Sequence, residues 1–286
     1  MNQPNQDIVI FGVGRSGTTA LFDYFNRAYT LKSRAPLIRY EPFLWNVKSA
    51  NLYKRFRYTS ALSPSGIYAH CNAPLFTRRH DIPALHTFID DLGASESPFL
   101  VKFIQACGRI DFFLNQWPKA KFIYIFRNPS AVVNSVLPIF DFFGSEFHPT
   151  DTERFSYEIG LDPESFLEET YAAKQLAYWR AMNEAALLSA KRFPDRVFPV
   201  SQEALLLDPK TSVLELLKFA FGADSFSESE ISRLVGNGGR EELTFRFGNL
   251  DIADYLSFRE QQDWYASQLL PICRSTVEPD VHQLDE

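Results

Sequence analysis

The sequence predicts an α/β fold of three layers, with a mainly parallel central sheet entered through a P-loop-like strand–loop–helix. Three observations predict it: an apolar run that stops at a glycine-rich loop, a helical period directly after that loop, and further short apolar runs separated by helical segments. Strands that alternate with helices need crossover connections, and crossovers make parallel neighbours.

In chain order, Asp7-Ile-Val-Ile-Phe11 reads as a buried strand and Gly12 to Gly17 as a tight loop. Leu21, Phe22, Phe25, Ala28 and Tyr29 form one face of a helix from Thr18 to about Tyr29. Ala35 to Tyr40 is a weaker strand, stopped at Glu41-Pro42, and 43–97 reads as short helices and loops among prolines. Pro98 to Phe103 is the next strand, Arg109 to Trp117 a helix, and Lys121 to Phe126 the strongest strand of the chain. Asn128-Pro129 then opens a helix, with Asn as N-cap and Pro at the first helical position. Residues 138–161 are rich in Phe, Asp and Glu, with turn residues at Phe143-Gly144-Ser145 and His148-Pro149, and read as an inserted lid or acceptor-site segment. A long helix is expected from Asp162-Pro163-Glu164 to about Arg192, and a last strand at Arg196 to Val200, placed at a sheet edge by Pro199. One helix is expected over Leu205 to Phe221, then a polar remainder broken at Gly236-Asn-Gly-Gly239. The whole chain, 1–286, is expected to be a single domain.

Composition narrows the function. With 45% hydrophobic and 22% charged residues, the chain can bury a full core without disulfides or metals. A net charge of −6 argues against a nucleic-acid surface, yet leaves room for a local basic pocket around one anionic ligand. Cys71, Cys107 and Cys273 show no CxxC pairing, and no Cys/His cluster has ligand spacing. No metal is therefore expected, and a reduced, cytoplasmic setting is. No signal peptide is seen before the first strand-like run, and no stretch approaches ~20 uninterrupted apolar residues, so no membrane span is expected. Oligomeric state is not readable.

The chemistry concentrates in Gly12-Val-Gly-Arg-Ser-Gly-Thr-Thr19. A glycine-rich loop between strand and helix turns successive backbone N–H groups toward one point, where the helix adds the positive end of its dipole. Gly14, Arg15, Ser16, Gly17, Thr18 and Thr19 are the candidate cradle for a phosphate or sulfate, with Arg15 supplying a forked permanent charge. The loop nearly fits GxxxxGK[ST], but Thr18 stands where that pattern needs lysine. A nucleotide kinase or other phosphoryl transferase is therefore disfavoured. A catalytically inactive nucleotide-binding module is a further alternative.

Phe11-Gly-Val-Gly-Arg-Ser-Gly-Thr-Thr19 resembles the 5′-phosphosulfate loop of sulfotransferases that use 3′-phosphoadenosine 5′-phosphosulfate (PAPS), especially the bacterial, carbohydrate and tyrosyl-protein branches. Phe126-Arg-Asn-Pro-Ser-Ala-Val-Val-Asn-Ser135 resembles the family's 3′-phosphate motif, with an Arg at a strand end and a Ser eight residues on. Arg127 and Ser135 are the implied 3′-phosphate ligands, although Ala131 stands where many members carry Asp. The resemblance implies transfer of a sulfuryl group from PAPS to a hydroxyl, leaving adenosine 3′,5′-bisphosphate, with no metal required. Tyr40-Glu-Pro-Phe43 looks like the version of the family with a glutamate base past the second strand, which makes Glu41 the implied base. Lys102 and Arg15 would stabilise charge on the sulfuryl group and departing phosphate.

The family signal thins after residue 140. Ser201-Gln-Glu-Ala-Leu-Leu-Leu-Asp-Pro209 resembles a segment in which Ser201 takes the place of an aromatic that can approach the adenine, and Ala20 replaces a Trp that follows the loop in the cytosolic branch. Arg233, Arg240 and Arg246 read as surface arginines first, with a reach to the 3′-phosphate left open. The Phe-rich 139–147 and Phe43-Leu-Trp45 suggest an apolar or aromatic wall for a small-molecule acceptor.

Overall fold

Each apolar run read as a strand forms one: β1 (Ile8–Phe11), β2 (Leu37–Tyr40), β3 (Phe99–Phe103), β4 (Lys121–Phe126) and β5 (Val197–Ser201). The computed structural model describes residues 6–40, 89–103, 107–135, 170–236 and 252–273. The strands form one sheet in the order β2-β3-β1-β4-β5, and every neighbouring pair is parallel. β5 lies at one edge, where the missing N–H of Pro199 is tolerated.

Alternation along the strands sorts the core into two layers. Val9, Phe11, Val101, Phe103, Phe122, Tyr124 and Phe126 face one side, where α3 (Ile110–Gln116) and α5 (Tyr171–Arg192) pack. Ile8, Ile10, Leu100, Ile123, Ile125 and Val200 face the other, against α1 (Thr18–Leu31), α7 (Pro209–Phe221) and α8 (Glu228–Val235). Two helical stretches complete the first half, α2 at 89–93 and α4 at 129–135, and Asn128 caps the latter by accepting from Ser130 N–H at 2.9 Å. This is the three-layer α/β architecture, with a parallel sheet buried on both faces.

Three expectations need correction. The long helix begins at Tyr171, because Thr170 is extended (φ −65°, ψ 157°) and its side chain accepts from Ala173 N–H. The single helix expected over 205–221 is two, α6 (Gln202–Leu207) and α7. Asp208 leaves helical geometry (φ −132°, ψ 77°) and caps α7, while Pro209 brings no N–H to bond backwards into α6. The polar remainder contains α8 and a C-terminal helix, α9 (Ile252–Trp264), which runs on through a π turn, Tyr265–Leu269, and a 3-10 turn, Leu270–Ile272. The signal for α8 was present in Ser227-Glu-Ser-Glu230, a capping box in which Ser227 and Glu230 satisfy each other's backbone N–H. The inserted segment 138–161 lies outside the described residues.

Glu230 also ties α8 to the end of α1 through Lys32, Oε1 to Nζ at 2.7 Å. The Lys32 hydrogen bond, followed by the Ser227 backbone N–H, holds the Glu230 carboxyl down from 4.5 to about 2. A depressed carboxylate stabilises the fold above its unfolded value and loses that contribution as pH falls through the folded value. Glu230→Gln should therefore lower the melting temperature at pH 7 by about 2–4 °C, the scale of a 1 kcal/mol loss in a large domain. In a melting series the gap to the parent protein should close as pH falls from 4.5 toward 2.

Candidate functional site

In an all-parallel sheet the carboxyl ends of the strands share one edge, and ligands of open α/β sheets bind there, where the strand order reverses. Here β1 is the central strand, with β3 on one side and β4 on the other. The loop that leaves β1 is thus set between the ends of β3 and β4.

The loop's shape follows from two glycines and an arginine. A Cβ at Gly12 would lie 2.2 Å from the carbonyl oxygen of Ile125, so only glycine lets the chain leave the sheet against β4. Gly17 turns the chain into α1 with φ 90°, and a Cβ there would also meet the Gln202 side chain at 2.9 Å. Arg15 has φ 73°, a left-handed backbone that costs a non-glycine residue about 1–3 kcal/mol and clusters at functional sites. The helix start is open to an anion, since Gly17 offers no side-chain cap and the first turn carries no acidic residue. Ser16 is fully buried, and its Oγ finds no hydrogen-bond partner among the described residues. An orphaned hydroxyl at such a turn fits a cradle shaped for oxyanions.

Cations converge on this loop from three strands. Arg15 Nε donates to Ser135 Oγ at 2.9 Å. Arg127, just past β4, donates from its guanidinium to the Arg15 carbonyl oxygen at 3.1 Å. Lys102, on the α1 face of β3 and 1% exposed, donates from Nζ to Thr19 Oγ1 at 2.8 Å. Thr18 leaves the loop without a lysine, and β3 supplies a cation to the same helix start. Gly14, Arg15, Ser16, Gly17, Thr18, Thr19, Lys102, Arg127 and Ser135 therefore belong to one edge of the sheet. Glu41 lies outside the described residues, as do Arg240 and Arg246. Arg233 is exposed in the last turn of α8.

The family model that describes the sulfotransferase family matches residues 7–224. The chain belongs to the sulfotransferase family. It is a sulfotransferase enzyme with the loop, the β3 lysine and the Arg–Ser pair on one sheet edge. Solved structures similar to it include the sulfotransferase domain from the Synechococcus PCC 7002 olefin synthase, 17% identical over 93% of this chain and 96% of that one, TM-score 0.48. A second is the sulfotransferase domain from the curacin biosynthetic pathway, 15% identical over 92% and 99%, TM-score 0.45. A third is retinol dehydratase in complex with androsterone and inactive cofactor PAP, 13% identical over 98% and 84%, TM-score 0.43. No curated protein gives a significant match.

The sulfotransferase also holds residues that sequence reasoning missed. Ser201 is fully buried and accepts from Ala204 N–H as the cap of α6. Its neighbour Gln202 is the residue that lies against Gly17. Glu203, buried, accepts from Asn128 N–H at 3.0 Å and from the Tyr265 hydroxyl at 2.9 Å. Burial pushes its carboxyl up, while the Asn128 and Tyr265 bonds and the charge of Arg127 pull it down. A lone Glu at a helix start gives no sequence signal of such burial. Among the described residues, no group of three His, Cys, Asp or Glu side chains could hold a metal ion, and no helix is long and apolar enough to cross a membrane.

Two neighbouring glycines separate fold from site. Gly14 has open space where a Cβ would stand. Gly12→Ala should cost several degrees of melting temperature or soluble protein outright, because the clash is with backbone. Gly14→Ala should melt with the parent protein in the same scan.

Proposed function

We propose that this sulfotransferase takes its sulfuryl group from PAPS and delivers it to a hydroxyl of a small apolar or aromatic acceptor. The observation that carries this reading is the hydrogen-bonded meeting of Arg15, Ser135 and Arg127 beside an uncapped helix start. The donor carries two anionic groups, a 5′-phosphosulfate and a 3′-phosphate, and the site offers two adjoining cationic centres. Gly14 to Thr19 would cradle the 5′-phosphosulfate, and Arg127 with Ser135 would take the 3′-phosphate.

The acceptor oxygen attacks sulfur in line with the departing phosphate. The new O–S bond forms as the S–O bond to the 5′-phosphate breaks, and the electron pair stays on the phosphate oxygen. Lys102 and Arg15 would stabilise charge on the sulfuryl oxygens and leaving group. Glu41 would take the acceptor's proton. Support for Glu41 is positional: it directly follows Tyr40, and Tyr40 is the cross-strand partner of Lys102. The Phe-rich 139–147 and Phe43-Leu-Trp45 would wall the acceptor, which favours an apolar or aromatic one.

Thermal stabilisation by adenosine 3′,5′-bisphosphate tests the donor. At a hundred times its dissociation constant a ligand stabilises by about 2.7 kcal/mol, so a clear melting shift is expected. 5′-AMP, lacking the 3′-phosphate, should shift melting less at equal concentration. A shift by ATP–Mg²⁺ alone would replace this reading with phosphoryl transfer. With PAPS and a turned-over acceptor, Glu41→Gln should lower kcat by about 10²- to 10⁴-fold and leave bisphosphate affinity unchanged. Retained turnover would remove Glu41 from the base role.

A further inference from the structure

The residues that match the family end at 224, yet the side chains that grip the peptide aiming Arg127 are themselves held from beyond that point. Both polar groups of the Arg127–Asn128 peptide are bonded to buried side chains. The Arg127 carbonyl oxygen accepts from Trp179 Nε1 at 3.1 Å, and the Asn128 N–H donates to Glu203 Oε1 at 3.0 Å. Fixing a peptide plane at both ends fixes the backbone torsions on either side of it, and so the direction in which Arg127 leaves the strand.

Each of these two grips is itself held by the C-terminal segment. The Tyr265 hydroxyl donates to the second Glu203 oxygen at 2.9 Å, so each carboxyl oxygen accepts one bond. The Trp179 ring meets Trp264 edge-on at 5.6 Å between centroids, and Tyr265 at 6.3 Å. A third thread runs through Asn128 itself. Its Oδ1 accepts from Ser130 N–H as the N-cap of α4, which leaves Nδ2 to donate to Gln262 Oε1 at 2.8 Å. Arg180 holds the same helix from outside, its guanidinium 4.0 Å over the Trp264 ring and bonded to Gln261 Oε1 at 3.3 Å. Ser135 rides on the helix that Asn128 caps, so both implied 3′-phosphate ligands depend on this turn.

We infer that Tyr265 and Gln262 are positioning residues of the donor site: through Glu203 and Asn128, the C-terminal helix sets the Arg127–Asn128 turn for the 3′-phosphate. This rests on the proposed PAPS reading, which assigns Arg127 and Ser135 to that phosphate. Neither Tyr265 nor Gln262 is a catalytic residue, since each acts through another side chain.

The deciding quantity is the ratio of the dissociation constant for 5′-AMP to that for adenosine 3′,5′-bisphosphate, measured by calorimetry on the full chain. It isolates the 3′-phosphate's contribution. A merely structural loss would weaken both ligands alike and leave the ratio unchanged. Tyr265→Phe removes one hydroxyl and keeps the ring, and Gln262→Ala removes the Asn128 partner from a half-buried position. Each should lower the ratio by about fivefold to tenfold, the effect of losing one bond to a charged or buried polar group. Arg127→Ala is the reference and should bring the ratio close to one. In a double-mutant cycle, Tyr265→Phe should add nothing once Arg127 is gone. If Arg127→Ala lowers the ratio and both C-terminal variants leave it at the parent value, the positioning role is wrong and the donor reading stands. If the parent protein does not prefer the bisphosphate, or Arg127→Ala leaves the ratio intact, the donor reading fails and takes this inference with it. If one C-terminal variant fails to fold, the other decides alone.

Discussion

The site depends on the close approach of Gly12 to the carbonyl oxygen of Ile125. A methyl group there would sit 2.2 Å from that oxygen, well inside contact distance. With only a hydrogen on Gly12, the first loop lies against the end of β4. Arg127 leaves that same edge two residues after Ile125, so its guanidinium reaches the Arg15 carbonyl oxygen at 3.1 Å. Arg15 in turn reaches Ser135. One bare α-carbon thus sets the spacing between two motifs that lie far apart in the sequence.

Bringing Arg15, Lys102 and Arg127 to one edge has an electrostatic cost in a chain whose net charge is −6. Like charges close together repel more strongly as water is excluded, and Lys102 is 1% exposed. The site offsets this with oriented polar groups: the Thr19 hydroxyl at Lys102, the Arg15 carbonyl oxygen at Arg127, and the buried Glu203 carboxyl one layer back. Arg127's charge is among the causes that draw the Glu203 carboxyl down against burial. Such a centre has most to gain from an anion, which is the physical content of calling it a cradle.

Where a single local signal decided an element, the sequence was readable. The five apolar runs are the five strands, and the alternation within them places Lys102 on the same face as α1. The strand–loop–helix around Gly12 to Thr19 was readable because glycine positions and helix starts leave local marks. Elements decided by tertiary partners were not. The break between α6 and α7 turns on one Asp-Pro step inside a continuous leucine-rich pattern, and period alone runs through it. α9 and the π turn after it present their chemistry to partners on α5, α6 and the β4 turn, so Gln262 and Tyr265 look like ordinary helix and aromatic residues until those partners are in place. Glu203 carried no signal for the same reason: a glutamate in the first turn of a helix is ordinarily solvated, and here it is 4% exposed.

Apolar packing alone would hold the Arg127–Asn128 turn only loosely in register. Dispersion contacts change gently with small displacements, whereas a hydrogen bond weakens steeply as its angle closes and its length grows. A binding site needs its groups held to within about 0.5 Å. Phe126, Trp179 and Tyr265 already share one apolar cluster, which brings the C-terminal segment and the end of β4 together. Contact of that kind leaves the Arg127–Asn128 peptide free to rotate. The bonds from Trp179 and to Glu203, on opposite ends of that peptide, remove the rotation, and Tyr265 keeps Glu203 from turning away. The sheet edge supplies the location of the site, and the buried polar threads from α5, α6 and the C-terminal helix supply its precision.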